Sequence, residues 1–151
     1  MIVLKFGGTS VGSVENIQKV GSIVTETQGE KIVVLSAMSG VTNSLVRLCN
    51  LLRLGNVEEA LALINQLDKK YQDVARELLE TDQTFQKAQV FLKKCHQLLL
   101  DLANTTFGPK EEKIIMAQGE LVSTHLFQLY MEDHSVESQL ISALDFMQID
   151  G

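Results

Sequence analysis

The run from Ile2 to Ser36 constrains the fold more than any other part of the chain. Ile2–Phe6 is short, apolar and β-prone and ends in Gly7-Gly8, which predicts a buried strand closed by a turn. The turn reads GGTSVGS, and Ser13 is placed to cap a helix from about 14 to 27. In that helix Val14, Ile17, Val20 and Val24 recur near helical spacing, and Gly29 closes it. Lys31–Ser36 is a second apolar strand, and the loop Ala37–Val41 leads into a helix for which Thr42 is the expected N-cap. Strand, glycine turn, helix and strand in this order open an α/β fold, because only a parallel pair is joined by a helical crossover. Small-residue turns after both strands predict a three-layer α/β/α arrangement with a mainly parallel sheet. They also place Lys5 and Ser36 at the carboxyl ends of neighbouring strands.

The middle of the chain changes period. Val57, Leu61, Ile64, Leu67, Tyr71, Val74 and Leu78 mark one amphipathic helix, to about Leu79. Phe85, Ala88, Leu92, Cys95, Leu99 and Leu102 mark another, in steps of three and four. Joined at Glu80-Thr81-Asp82, the two predict an antiparallel hairpin. Pro109 suits the first position of a further helix to about 132, with Glu111 and Glu112 at its positive end. Val136–Ser142 reads as a third strand. Neither an internal repeat nor a flexible linker is visible. The chain reaches Ile149-Asp150-Gly151 without a closing helix, so the apolar faces call for more sheet, and the chain is expected to be part of a larger protein.

Composition narrows the function classes. With 151 residues, 45% hydrophobic and one proline, the chain can bury one substantial core, which excludes disorder and collagen-like structure. Thirteen Lys+Arg against nineteen Asp+Glu leave a net charge of −6, so a nucleic-acid partner is not expected. An anionic ligand must be held by a local cluster of donors instead. Cys49 and Cys95 lie in apolar helical patterns and match no zinc or redox spacing, which predicts buried, reduced thiols. No apolar run approaches the roughly 18 residues of a membrane span, and MIVLKFGG lacks the charged start of a signal peptide. A cytoplasmic location without membrane attachment is expected. His96, His125 and His134 form neither HxxxH nor HExxH, so no metal site is expected. Lys69-Lys70 and Lys93-Lys94 read as solvated pairs, and Met116 and Met131 as packing residues.

Three segments can carry chemistry. In Lys5-Phe6-Gly7-Gly8-Thr9-Ser10, glycines let backbone N–H groups approach phosphate oxygens, the hydroxyls add donors and Lys5 supplies a point charge. The spacing is neither GxxxxGK[ST] nor GxGxxG. A tight turn with a snorkelling lysine is the alternative. Ser36-Ala37-Met38-Ser39-Gly40-Val41-Thr42-Asn43 places small and hydroxyl residues between a strand end and a helix start, where anions bind, although capping would explain Ser39, Thr42 and Asn43 equally well. In Gln118-Gly119-Glu120-Leu121-Val122-Ser123, a glycine inside a helix costs on the order of 1 kcal/mol, which predicts that something approaches the backbone closely there. Glu120 beside it is either a site carboxylate or a solvated helix residue.

KFGGTSVGS, LSAMSGVTN and QGELVS, in this order, resemble the aspartate kinases of the amino-acid kinase superfamily. The resemblance covers the whole chain. It implies a carbamate-kinase-like fold, with residues 1–151 as the N-terminal portion of the catalytic domain and about 56–105 as a helical insertion. The rest of the ATP lobe and the regulatory domains would then be absent. It implies ATP-dependent phosphorylation of the L-aspartate side chain to 4-phospho-L-aspartate, the first step toward lysine, threonine and methionine, with Mg2+ carried by ATP. It also implies a homo-oligomeric full-length enzyme and an inactive fragment. By the same resemblance Lys5 is catalytic, and Lys5, Phe6, Gly7, Gly8, Thr9 and Ser10 surround the ATP phosphates. Ser36, Thr42 and Glu120 surround aspartate, with Glu120 on its α-amino group. The family commonly has arginine after that glutamate, where Leu121 stands here. A non-catalytic phosphate- or amino-acid-binding module, an assembly surface without activity and another superfamily member are the alternative readings.

Overall fold

Parallel pairing of β1 (Ile2–Phe6) with β2 (Lys31–Leu35), from Ile2 opposite Lys31 to Phe6 opposite Leu35, is the frame on which the rest is hung. The computed structural model describes residues 1–142, and elsewhere in that span the structure is helical: α1 (Val14–Glu26), α2 (Val41–Arg53), α3 (Val57–Leu78), α4 (Asp82–Ala103) and α5 (Pro109–Asp133). Strand alternation sorts the sheet into two faces. Leu4, Phe6, Val33 and Leu35 join the helical core. Val3 (62% exposed), Lys5, Ile32 (46%) and Val34 (42%) lie on the other face, which none of the described helices covers. This is an incomplete α/β arrangement: a parallel pair with helices packed on one face. No described helix is long and apolar enough to cross a membrane.

Local chemistry accounts for most helix boundaries. The Ser13 hydroxyl accepts from the Asn16 N–H at 3.2 Å and starts α1 as expected. The N-cap of α2 lies two residues before the expected one: Gly40 holds φ +80°, the chain turns there, and Thr42 falls inside the first helical turn. Val41, fully buried, explains the shift, because its side chain must enter the core at the start of the helix. Pro109 opens α5, and Arg53 joins that helix to the end of α2 by pairing with Glu112 at 3.0 Å and lying over the Phe107 ring.

α3 and α4 form the expected hairpin, buried along Leu63, Ile64, Leu67, Tyr71 and Leu78 on one helix and Ala88, Leu92, Cys95 and Leu99 on the other. Asp82 already belongs to α4 rather than to the connection, because the Thr81 hydroxyl caps the helix by accepting from the Thr84 N–H at 3.3 Å. Both thiols are buried, and burial pushes the Cys49 thiol up and the Cys95 thiol up to about 11, so neither is a ready nucleophile. Met131 is buried and Met116 packs against the core at its margin.

Val136–Ser142 carries no strand, contrary to the sequence expectation. α5 ends in a Schellman arrangement, with Ser135 at φ +55°, the Ser135 N–H donating to Glu132 O and the Val136 N–H to Met131 O, each at 3.0 Å. That cap leads the chain past the helix end, where the Ser138 carbonyl accepts from Gln128 Nε2, and no described strand lies beside 136–142 to complete a ladder. The rest of the 1–151 span lies outside the described residues.

Asp133, the last residue of α5, fastens the hairpin connection. One of its oxygens accepts from the Glu80 N–H at 2.8 Å, and the other from the Thr81 and Thr84 hydroxyls at 2.7 Å each. Burial alone would push its carboxyl up, but the Thr84 and Thr81 hydroxyls and the Glu80 and Thr81 N–H groups outweigh it, and the net pKa lies below the ordinary value. A folded-state pKa below the unfolded one stabilises the fold above about pH 4, and that stability is lost as pH falls through the lowered value. Asp133→Ala should therefore cost on the order of 2 kcal/mol at pH 7. Denaturant titrations of both proteins between pH 7 and pH 3 should show the difference shrinking with acid; a constant difference would mean that the charge is immaterial.

Candidate active site

The turns that follow β1 and β2 are stacked on each other without room for side chains between them. A Cβ on Gly8 would stand 2.9 Å from the Ala37 carbonyl oxygen, and one on Gly12 2.8 Å from Ser39 Cβ. The first turn is closed by Ser10 N–H to Gly7 O at 3.0 Å, Gly12 N–H to Thr9 O at 3.3 Å and the Asn16 amide to Thr9 O at 3.0 Å. The ladder continues past the strands with Ser36 N–H to Phe6 O at 3.0 Å. In a parallel pair the next rung would run from the Gly8 N–H to the Ser36 carbonyl. That carbonyl accepts from Ser123 Oγ of α5 at 2.8 Å, and the Gly8 N–H has no protein acceptor among the described residues. A backbone donor is left at the end of β1 next to Gly7, where a Cβ would meet nothing within 4 Å. Donors in such a place are suited to an anion.

The residues singled out in the sequence gather around these turns. Lys5 sits opposite Val34, two residues before Ser36, so both expected strand-end positions lie side by side and alternation puts their side chains on one face. Lys5 is exposed, and its ammonium makes no ion pair among the described residues. Thr9 is exposed and Ser10 half-buried, while the Phe6 side chain packs toward the core and leaves only its backbone to the turn. Ser36 is half-buried; Thr42 and Glu120 are exposed. The close approach expected at Gly119 is present, and its partner is protein: a Cβ there would lie 2.8 Å from Ala37 Cβ, 3.2 Å from Leu45 Cδ1 and 3.3 Å from Val41 Cγ1. α5 thus packs Gly119 against the turn after β2, with Glu120 next to it on the exposed side of the helix. The side chains of Ser36, Thr42 and Glu120 make no hydrogen bond with one another. Leu121, 48% exposed, adds no charge next to Glu120.

Two contributors were not legible as such. Ser123 is four residues beyond Gly119, and two small residues at that spacing share a helix face, which is a signal for close approach. Lys70 gave no signal: it is half-buried rather than solvated, and its ammonium donates to the Ser39 carbonyl at 2.9 Å across 31 residues of chain. Its neighbour Lys69 is exposed and pairs with Asp73. The histidines lie apart, His96 bonded to Asn65, His125 stacked on Phe91 at 3.8 Å and His134 bonded to the Tyr130 carbonyl. Among the described residues no three His, Cys, Asp or Glu converge as metal ligands.

A parallel pair joined by a helical crossover, with glycine-bearing turns packed together beyond both strand ends, defines the α/β class in which anions bind at strand ends and helix starts. This chain belongs to the amino acid kinase family, whose model matches residues 1–150. The lysine-sensitive aspartokinase 3 of Escherichia coli (strain K12) is 30% identical over 145 residues, which cover 92% of this chain and 30% of that protein. The aspartokinase of Rickettsia prowazekii (strain Madrid E) is 53% identical over 53 residues, 33% of this chain and 12% of that one. The crystal structure of E. coli aspartokinase III in complex with aspartate and ADP (R-state) superposes with a TM-score of 0.70 at 29% identity, covering 92% of this chain and 30% of that one. The likeness is to an aspartokinase N-terminal catalytic region, and the chain spans less than a third of these relatives' length.

The contact at Gly119 makes a prediction of opposite sign to helix propensity. Propensity alone favours Gly119→Ala by about 1 kcal/mol. The added methyl would instead overlap Ala37 Cβ, and because both positions are backbone-borne, α5 must move away from the β2 turn, at a cost of about 1–3 kcal/mol. A lower melting temperature for Gly119→Ala is expected; a higher one would show that the contact is loose.

Proposed function

We propose that this chain is the N-terminal part of an aspartate kinase catalytic domain, residues 1–151 with the hairpin at about 56–105 as an insertion, and that the complete enzyme transfers the γ-phosphoryl group of ATP to the L-aspartate side-chain carboxylate. The observation that carries this reading is the Gly8 N–H at the end of β1, three residues after Lys5, which has no acceptor among the described residues. The relatives named as aspartokinases, one of them solved in complex with aspartate and ADP, support the choice of substrates.

In this reading the backbone from Phe6 to Gly8 and the hydroxyls of Thr9 and Ser10 hold phosphate oxygens, and the Lys5 ammonium meets charge that develops on the transferring group. Magnesium, when bound with the nucleotide, supplies further neutralisation of phosphate charge. Ser36 and Thr42 face the aspartate carboxylates, and Glu120 receives the α-ammonium. The acceptor carboxylate, with an ordinary pKa near 3.9, is already ionised at neutral pH, so no general base is needed. The chemical difficulty is bringing one anion to another, and positioning with charge neutralisation carries the rate. Among the described residues Lys5 pairs with no carboxylate and Glu120 with no cation, so both charges are available for that chemistry.

Two variants of the complete enzyme test these roles. Lys5→Met should lower kcat about a hundredfold to a thousandfold while changing aspartate binding far less. Near-normal turnover would place the phosphate site elsewhere. Glu120→Gln keeps shape and removes charge, so the aspartate KM should rise roughly 10- to 150-fold with the ATP KM and melting temperature little changed. Equal loss for both substrates with a lower melting temperature would make Glu120 a structural anchor instead. The 151-residue chain alone should show no aspartate-dependent ATP turnover, and turnover by the purified chain would refute the division proposed here.

A further inference from the structure

Lys70 is the one side chain of the α3–α4 hairpin that donates a hydrogen bond to either turn of the crevice. The turn it reaches, Ala37–Gly40, is the element on which the site converges. Gly8 touches it through Ala37 O, Gly12 through Ser39 Cβ, and Gly119 through Ala37 Cβ. Its far end is Gly40, which holds φ +80° and starts α2 without a side-chain cap. The Ser44 N–H and hydroxyl both return to the Gly40 carbonyl, at 3.1 Å each. Among the described residues, the Ser39 carbonyl accepts only from Lys70, and the Lys70 ammonium pairs with no carboxylate. Lys70, half-buried along its stem, thus gives its ammonium one protein partner among the described residues, a charge-assisted bond to a backbone carbonyl at the exposed edge of the turn.

We propose that Lys70 is a positioning residue for the Ala37–Gly40 turn, and that through it the helical hairpin holds the aspartate side of the crevice in register with the phosphate turn. The second half of this statement rests on the proposed function; the first does not. Its ammonium fixes the direction of the Ser39–Gly40 peptide, and that peptide sets where α2 starts and hence where Thr42 stands relative to Ser36. The hairpin is thereby part of the substrate site's support, although none of its residues needs to touch a substrate.

The test has two arms. Amide hydrogen exchange on the purified 151-residue protein compares wild type with Lys70→Met and Lys70→Arg. Exchange of the Val41 and Ser44 amides, which donate to the Met38 and Gly40 carbonyls, should rise several-fold in Lys70→Met, while Leu67 and Tyr71 in α3 stay protected. Lys70→Arg, which still donates, should return exchange of both amides to close to the wild-type rate. No change in Lys70→Met, or an equal rise throughout α3, overturns positioning of the turn. In the complete enzyme Lys70→Met should raise the aspartate KM several-fold and leave the ATP KM in place, with partial rescue by Lys70→Arg. A wild-type enzyme that phosphorylates aspartate, paired with an unchanged aspartate KM in Lys70→Met, overturns the link to the substrate site. A wild-type enzyme that does not phosphorylate aspartate overturns the proposed function and leaves the exchange result to decide the turn alone.

Discussion

The hydrogen bond from Ser123 Oγ to the Ser36 carbonyl, with Gly119 pressed against Ala37 four residues earlier, sets the geometry of everything at the top of the sheet. A long helix can approach a strand end this closely only where two of its side chains are small, and Gly119 and Ser123 satisfy that on one face. The ladder ends at the same place: β1 parts from β2 at Gly8, and the chain turns there with an N–H that has no acceptor among the described residues.

The remaining helices keep that contact in place. α5 is held at its start by Arg53, which pairs with Glu112 and covers Phe107, and at its end by Asp133, which binds the hairpin connection through three donors. Lys87 and Glu132 add a second link between the hairpin and α5. These are partly exposed polar contacts, each modest by itself, arranged at the two ends of a helix whose middle is buried along Ile115, Val122 and Leu126. The apolar middle provides the energy of association, and the polar ends determine the axial register at which Gly119 meets Ala37.

The chemistry proposed for this site rests on two exposed groups of opposite charge. Lys5 lies on the open face of the sheet and Glu120 on the solvent side of α5, each without a neutralising partner among the described residues. A protein that kept both groups only for stability would gain little from them there, since exposed, unpaired charges contribute almost nothing to folding. Their arrangement suits a ligand that carries both anionic and ammonium groups. The bare apolar face around Lys5 has a matching meaning for the fold: Val3, Ile32 and Val34 are patterned for a second covering layer, as the three-layer α/β/α reading requires.

The local code was legible for elements whose determinants are contiguous. Short apolar, β-prone runs marked β1 and β2, although one face of each proved exposed, 3.6-residue spacing marked α1, α3 and α4, and Ser13 and Pro109 announced helix starts. The strand–turn–helix order put Lys5, Gly8, Ser36 and Thr42 at or just beyond strand ends and at a helix start, whereas Glu120 lies in the middle of α5 and was marked only by the glycine beside it. What the sequence could not decide were outcomes of competition between distant groups. Thr42 has the chemistry of a cap, but burial of Val41 moved the helix start to Gly40. Val136–Ser142 has enough β-prone residues for a strand, but a strand exists only where a neighbour offers a ladder. Lys70 reads as a surface lysine, and became a support of the crevice because the hairpin folds back onto Ser39. Sequence alone determined which residues are small, charged or apolar and at what period; tertiary structure decided which carbonyl each donor reaches, since that depends on separations of 31 and 87 residues that no local pattern encodes.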